Sequence, residues 1–593
     1  MGDDERGVVQ TRRQFLGALG AAACWWGQPH PTRASADAQR LPNVVLVLTD
    51  DQGYGDLGCL GNPLMQTPNI DSLYRQSLRL TDFHVGPTCS PTRAALMTGR
   101  YCNRTGVWHT VMGRSLLRRD EVTMADVFAA GGYRTGIFGK WHLGDNYPFR
   151  PQERGFQEVL VHGGGGVGQT PDCWGNHYFD DTYWHNGVPE KQTGYCTDVW
   201  FDAALRFIEA NRDRPFFAYV ATNAPHSPYN VAEKYRSLYA GKDVPNANFY
   251  GMITNIDENV GRLRSRLQAL GLDENTILVF MTDNGTAAGF QGKRGFNAGM
   301  RGNKGSEYDG GHRVPCFIRW PAGGLEGGKD VGHLAAHIDL LPTLIEVCGL
   351  PRPKDVKFDG ISLAPLLRNA DSNWPDRILV TDSQRVEHPE KWRKSAVMTD
   401  RWRLVNGKEL YDIHADPGQK NNIANEHADV VQKLRHAYED WWTDVSVHFN
   451  EYCEIVLGSD KENPARLTSH DWHGGDLSPW DQTHILKGEP FNGFWAVEVA
   501  QAGAYELSLR RWPRELDQPI SAAIAGGRAI HARTARLTIG EIDITGPVGA
   551  EAKEVVFRAS LKPGRMRLQT WLTGEDGSSR GAYFVYVRRI SRL

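Results

Sequence analysis

Apolar residues recur along this chain in more than one rhythm. Residues 44–48, 135–138, 216–221 and 276–281 form short, nearly continuous apolar runs. Such runs suit strands buried on both faces of a mainly parallel sheet. Between them, residues 69–78, 123–130, 199–211 and 252–270 repeat apolar positions at helical spacing. Alternation of this kind predicts an α/β layer fold. From 376 to 445 the pattern changes to the short strand-like segments 396–398, 403–405 and 409–411, followed by a helix around 430–442. Beyond 446 the chain alternates apolar and polar residues at period two over 494–499, 504–509, 555–559, 566–571 and 582–587. Turns rich in Gly and Pro separate these segments, which predicts a β-sandwich without a strong helix.

The chain has 593 residues, room for a large core and more than one domain. Its formal charge of −3 leaves no general basic footprint, which argues against a nucleic-acid partner. Thr11-Arg12-Arg13-Gln14-Phe15-Leu16 reads as a twin-arginine export signal, and the apolar run after it is too short for a permanent membrane span. Ala34-Ser35-Ala36 offers a cleavage site, so residues 1–36 are expected to be a signal peptide and the mature protein periplasmic or secreted. Ala21, three residues before Cys24, is not the leucine of a lipoprotein site, which argues against anchoring there. The nine cysteines follow no metal spacing and include no C-x-x-C, so no disulfide framework is expected.

Two of the buried strands run into acidic dyads. Residues 44–48 lead into Asp50-Asp51, and residues 276–281 lead into Asp283-Asn284. In an open α/β sheet, ligands gather at the carboxyl ends of strands. Three carboxylates and an amide oxygen make a hard-oxygen set suited to Ca²⁺ or Mg²⁺. The most informative stretch is Cys89-Ser90-Pro91-Thr92-Arg93, which opens a small-residue helix. Ser90 is a good N-cap and Pro91 suits the first helical position, so Cys89 is expected at a helix N-terminus that attracts anions. Arg93 lies one turn later on the same face. A lone cysteine on a core helix is usually just buried.

This C-x-P-x-R motif, continued by Ala-Leu-Met-Thr-Gly-Arg to residue 100, resembles the signature of the type I sulfatases. The resemblance spans about 42–445 and implies an alkaline-phosphatase-like α/β sandwich. Residues 42–375 would form the catalytic domain and 376–445 a smaller antiparallel subdomain with a covering helix. Residues 446–593 would be an accessory β-sandwich. It also implies that a formylglycine-generating enzyme oxidises Cys89 to formylglycine, whose hydrated aldehyde attacks sulfur. Asp50, Asp51, Asp283 and Asn284 would hold Ca²⁺ in preference to Mg²⁺, with the modified Cys89 as a further ligand. A bare thiol would be a poor neighbour for such a hard ion.

Lys140 and His142, two apart at a strand end, would share a face in extended chain. They match the family's sulfate-binding pair. His226, in Asn-Ala-Pro-His, matches a histidine near the leaving oxygen, and Lys304 matches a lysine bridging sulfate and leaving group. The metal ion, Arg93, Lys140 and Lys304 would neutralise the sulfate, while His226 or Lys304 protonates the departing alcohol and His142 takes a proton from the hydrate.

A sulfated carbohydrate or other sulfated small molecule is the expected substrate. The aromatics of 163–186 (Trp174, Tyr178, Phe179, Tyr183, Trp184) and of 469–482 (Trp472, Trp480) suit either a sugar face or a domain interface. Arg114, Arg118 and Arg119 suit either a polyanion contact or a solvated helix face. A phosphonate monoester or phosphodiester hydrolase on the same scaffold is a second reading, and a non-catalytic glycan-binding protein a third.

Overall fold

The continuous apolar runs become the middle of a ten-stranded sheet. A computed structural model describes residues 41–369, 374–475 and 477–592; the twin-arginine segment, Cys24 and the cleavage site at 34–36 lie outside them. Across the centre of the sheet run Thr276–Thr282, Asn43–Thr49, Phe216–Ala221, Arg134–Lys140 and Glu158–His162, in that order and all parallel. Cys316–Arg319 joins antiparallel beside Thr276–Thr282, and the hairpin Thr182–His185 with Val188–Lys191 closes the far edge.

Every residue of Asn43–Thr49 and Thr276–Thr282 is buried, because both faces of the sheet are covered. Alternate side chains serve different cores. Val44, Leu46 and Leu48 pack with the helices Met124–Ala130 and Leu340–Val347. Val45 and Val47 pack with Pro68–Arg75, Cys196–Ala210 and Ala247–Ala269 on the other side. The period-two geometry of a strand thus feeds two cores from one apolar run.

The helix expected over 69–78 stops at Arg75, and Leu78–Leu80 instead pairs with Cys316–Arg319 as a strand. Leu78 and Leu80 flank Arg79, a period-two pattern that is buried only on a sheet.

Four antiparallel strands, Leu379–Asp382, Ser395–Met398, Trp402–Val405 and Glu409–Asp412, form the smaller sheet, and helix Ala428–Val445 covers it through Leu434 and Tyr438. One side chain pins this sheet to the main body. Arg403 is fully buried and bonds Asp82 at 2.7 Å and Asp309 at 3.2 Å. Burial opposes the Asp82 charge, but Arg403 and His84 outweigh it and hold the carboxyl below its usual range. His84, Asp309 and His312 also bring ligand atoms within 4.8 Å of one another, but the Arg403 guanidinium lies against Asp309 and against His84 at 3.2 Å. The chain's own cation therefore braces this cluster. Arg403→Leu would strand two buried carboxylates and is expected to cost about 3–5 kcal/mol, read as a lowered thermal unfolding midpoint.

The C-terminal segment is two antiparallel-rich sheets of six and four strands facing one core, which contains Trp495, Leu507, Leu537, Leu568 and Val585. Strands Ala532–Ile539 and Ile542–Pro547 were not legible in the sequence pattern. The first is marked mainly by alanines and arginines, and the second lies at a sheet edge with half its residues exposed. The sandwich core also takes in Leu116 and Phe149 from the first part of the chain.

Arg114, Arg118 and Arg119 sit at this junction and not on a helix. Arg114 is buried between Trp108 and Tyr452, Arg118 pairs with Asp120 and Glu451, and Arg119 pairs with Glu498. They are joints of the fold, so the polyanion contact is withdrawn. Among the described residues all eight cysteines are free thiols, and no helix is long and apolar enough to cross a membrane.

Candidate active site

Neighbouring strands end level with one another, and that brings the candidate residues together. Thr49 is in register with Thr282, so Asp50-Asp51 and Asp283-Asn284 leave the sheet side by side. Leu48 and Gly139 both pair with Ala221, so the strand end at Lys140 and the turn carrying His226 lie at the same level. Carboxylate oxygens of Asp50, Asp51 and Asp283 lie within 4.8 Å of one another, all buried. Asp51 sits at φ +66°, a conformation that costs an ordinary side chain energy and concentrates at functional sites.

Three basic side chains face the three carboxylates. Lys140 Nζ donates to Asp50 at 2.6 Å, Lys304 Nζ reaches Asp51 at 2.5 Å, and Arg93 donates to Asp283 through Nε at 3.2 Å and a terminal nitrogen at 2.8 Å. Arg93 also donates to the Lys140 carbonyl at 3.0 Å. Burial opposes the charge on Asp51, yet Lys304, His226 and Lys140 hold its carboxyl well below the usual range. Burial and the adjacent Asp50 charge push the Asp283 carboxyl up. Two acceptor atoms, Asp50 Oδ1 and Asn284 Oδ1, are buried without a hydrogen-bond partner. Orphaned oxygens beside crowded carboxylates are what a hard divalent cation satisfies, so these residues fit such an ion.

Cys89 begins the helix Cys89–Thr98, whose N-cap is Thr88. The helix thus starts two residues earlier than the Ser90 cap predicted. Pro91 falls in the third helical position, where its missing N–H is still one of the four that have no partner. Cys89 and Arg93 lie one turn apart, as expected, but Arg93 is fully buried against Asp283. Burial raises the Cys89 thiol, so an unmodified sulfur here is not activated as a thiolate.

His142 does not share an extended strand face with Lys140. The strand ends at Lys140 and His142 turns to φ +60°, sending its ring to the Thr110 carbonyl at 2.8 Å. A carbonyl only accepts, so Nε2 carries the proton and Nδ1 keeps its lone pair. Nδ1 is buried with no partner, and burial followed by the Lys140 charge holds the ring neutral. His226 is anchored in the opposite sense. Its Nδ1 donates to the Ser227 carbonyl at 2.6 Å, leaving Nε2 toward Asp51 at 3.8 Å. Burial, with Lys304 and Lys140 working against Asp51, lowers it to about 4.

The run Gly163–Gly166 makes room for both rings, a signal that sequence reading placed only in a substrate loop. A methyl group on Gly165 would stand 2.3 Å from His142 Cε1, and one on Gly166 would stand 3.2 Å from His226. His142 is held by Thr110 and cannot yield cheaply. Gly165→Ala is therefore expected to displace the ring and lower kcat by about 10²-fold, checked by steady-state kinetics alongside a thermal melt.

Cys89, His142, His226 and Lys304 line one cleft of about 560 Å³. Its walls come from across the chain. His109 to Met112 form one side, Arg385 to Glu387 arrive from the small sheet, and Leu477, Ser478 and Trp480 from the C-terminal segment. None of the five aromatics of 163–186 borders it. Trp174 packs on Trp512, Tyr183 on Trp200, and Trp184 on Arg466, while Tyr178 bonds the His226 carbonyl. In the second loop Trp472 is buried against Trp495, whereas Trp480 faces the cleft and is 37% exposed.

A family described as Sulfatase matches residues 42–350, and a family described as N-sulphoglucosamine sulphohydrolase, C-terminal, matches residues 303–443. The chain belongs to the sulfatase family. Human arylsulfatase A is 36% identical over 359 residues, covering 55% of this chain and 68% of that one. The ulvan-active sulfatase of Formosa agariphila is 30% identical over 419 residues, covering 65% of this chain and 78% of the relative. The crystal structure of Ps i-CgsB in complex with k-i-k-neocarrahexaose superposes with a TM-score of 0.63 at 28% identity, over 70% of this chain and 95% of that one. This sulfatase is a sulfuric ester hydrolase, and its mainly parallel central sheet with added antiparallel sheets is the fold of its structural neighbours.

Proposed function

We propose that this enzyme removes sulfate from a sulfated carbohydrate, using an oxygen nucleophile made from Cys89 beside a divalent cation. The reading rests above all on one juxtaposition. Cys89, at a helix N-terminus, shares a cleft of about 560 Å³ with Lys304, His142 and His226, and Lys304 and His226 reach Asp51 of the three buried carboxylates. Asp50, Asp51, Asp283 and Asn284 would hold the cation, Ca²⁺ in preference to Mg²⁺, which when bound supplies positive charge toward sulfate oxygens. Formylglycine at position 89, installed by a formylglycine-generating enzyme, would supply oxygen where a high-pKa thiol cannot serve.

The chain's own side chains have separable tasks. Lys304 keeps its charge, because the Asp51 and Asp50 carboxylates outweigh the effect of burial, and it offers N–H donors at the leaving oxygen. His226, fixed through Nδ1–H, presents an unprotonated Nε2 beside that oxygen, so the proton the departing alcohol takes comes from the charged Lys304. His142 Nδ1 accepts the proton released at position 89. Arg93 and Lys140 hold the Asp283 and Asp50 carboxylates in place and contribute positive charge toward the sulfate. The segment 446–593 completes a cleft wall through Leu477 to Trp480, so the accessory sandwich is part of the substrate site. Export through the twin-arginine route would deliver the enzyme folded, with Cys89 already modified.

Mass spectrometry of the peptide containing Cys89 tests this directly. Conversion of thiol to aldehyde should appear as a loss of about 18 Da. Turnover of sulfated sugars should exceed that of the matching phosphate and phosphonate esters; the reverse order would favour the second hydrolase reading.

A further inference from the structure

The cleft carries a basic group that the reaction at Cys89 does not use. Arg385 lies just after the small-sheet strand Leu379–Asp382, is exposed, and lines the same cleft as Cys89 and Lys304. Its backbone sits at φ +45° and its N–H is bonded to the Trp108 carbonyl at 3.2 Å. An arginine held in left-handed conformation is costly unless its direction matters. Among the described residues its guanidinium has no hydrogen bond or ion pair. That distinguishes it from Arg93, Arg114 and Arg403, whose guanidinium groups are all paired.

His109 lines the cleft beside it. Its Nδ1 accepts the N–H groups of Thr110 at 2.7 Å and Val111 at 3.2 Å, so Nε2 must carry the hydrogen. Burial, then the Arg385 charge, lowers His109 to about 3, which places the two groups within electrostatic reach and keeps the imidazole neutral. Glu387, which lines the same cleft, is held through Oε1 by Arg114 at 3.3 Å and His473 at 3.0 Å, while its Oε2 is buried without a partner. This wall of the cleft therefore offers a free guanidinium and a neutral N–H donor, with Trp480 as an apolar face in the same cleft. A guanidinium fork fits a planar carboxylate or a sulfate face with paired hydrogen bonds.

We propose that Arg385, supported by the Nε2–H of His109, forms a second anion subsite that receives a sulfate or carboxylate of the carbohydrate other than the sulfate removed. The subsite rests on reading the cleft as the sulfate ester site, and it narrows the substrate to sugars bearing two anionic groups. Arg385 is a specificity determinant and does not touch the reacting atoms.

The test uses the full chain and three sulfated disaccharides that differ only on the non-reacting ring: sulfate, carboxylate or hydroxyl. The wild-type protein should prefer one of the anionic pair over the hydroxyl compound by at least tenfold in kcat/KM. Which of the two it prefers identifies the anion. Arg385→Ala should lower kcat/KM on that substrate by about 20–200-fold, mainly through KM. The loss on the hydroxyl compound and on 4-nitrophenyl sulfate should be at least tenfold smaller. Arg385→Lys should recover part of the loss. An equal loss on all substrates, or no anion preference in the wild type, overturns the proposal. Calorimetric binding of the same disaccharides to Cys89→Ala protein, with and without Arg385→Ala, reads the subsite without turnover. If wild-type protein hydrolyses no sulfate ester while that binding preference persists, the proposed reaction fails and the subsite stands. If turnover is normal and the preference is absent, the reverse holds.

Discussion

Cys89→Ala protein is expected to lose sulfate ester turnover by at least about 10⁴-fold, a rise of roughly 5 kcal/mol in the barrier. The fold should survive. Cys89 is a small buried residue whose replacement leaves the helix start to Thr88 and the free N–H groups of the first turn. Retained unfolding midpoint with lost turnover would separate chemistry from structure. Full turnover in this variant would falsify the covalent reading. The divalent cation, with Arg93, Lys140 and Lys304, would still gather sulfate in such a variant, so substrate should bind without being cleaved, and calorimetry checks that.

Prolonged dialysis against EGTA is the second change with a large expected effect. Asp50, Asp51 and Asp283 are met by Lys140, Lys304 and Arg93, three charges against three. Without a divalent ion each of these basic groups is already paired with a carboxylate, and the floor of the cleft has no unpaired positive charge to draw an anion. The two orphaned oxygens, Asp50 Oδ1 and Asn284 Oδ1, would also go unsatisfied. Turnover should fall by about 10³-fold and return when Ca²⁺ or Mg²⁺ is restored, with Ca²⁺ the more effective. The thermal midpoint should fall by a few degrees and recover with the same ion, because the ion binds only the folded cluster. Turnover that resists chelation, in protein shown by elemental analysis to hold no divalent metal, would remove the cation from the account.

Much of the architecture was legible from apolar spacing because burial on both faces leaves a strong mark. The run Phe216–Ala221 admits no polar residue, and its bounds in the structure are those its sequence suggests. Legibility failed where burial is partial or where a short segment takes its partner from far away. Leu78 looked like the end of a helix until residues 316–319 arrived beside the strand that it begins. Ala532–Ile539 has too little apolar contrast to announce a strand. The aromatics of 163–186 were equally compatible with sugar binding and with packing, since a flat ring serves either. Their neighbours, Trp512, Trp200 and Arg466, decided for packing.

The sequence by itself determined the chemical inventory: a cysteine ahead of a proline and an arginine, acidic dyads after buried strands, and lysines and histidines in recognisable settings. Those signals are local, because a helix start or a strand end is encoded within a few residues. Only the tertiary structure decided what each group faces. It bonded Arg93 and Lys140 to the carboxylates, gave His142 and His226 opposite proton anchors, and brought Arg385 and Trp480 to one cleft. Those relations depend on strand register and on packing between segments hundreds of residues apart, where contact is made through space and leaves no spacing to read along the chain.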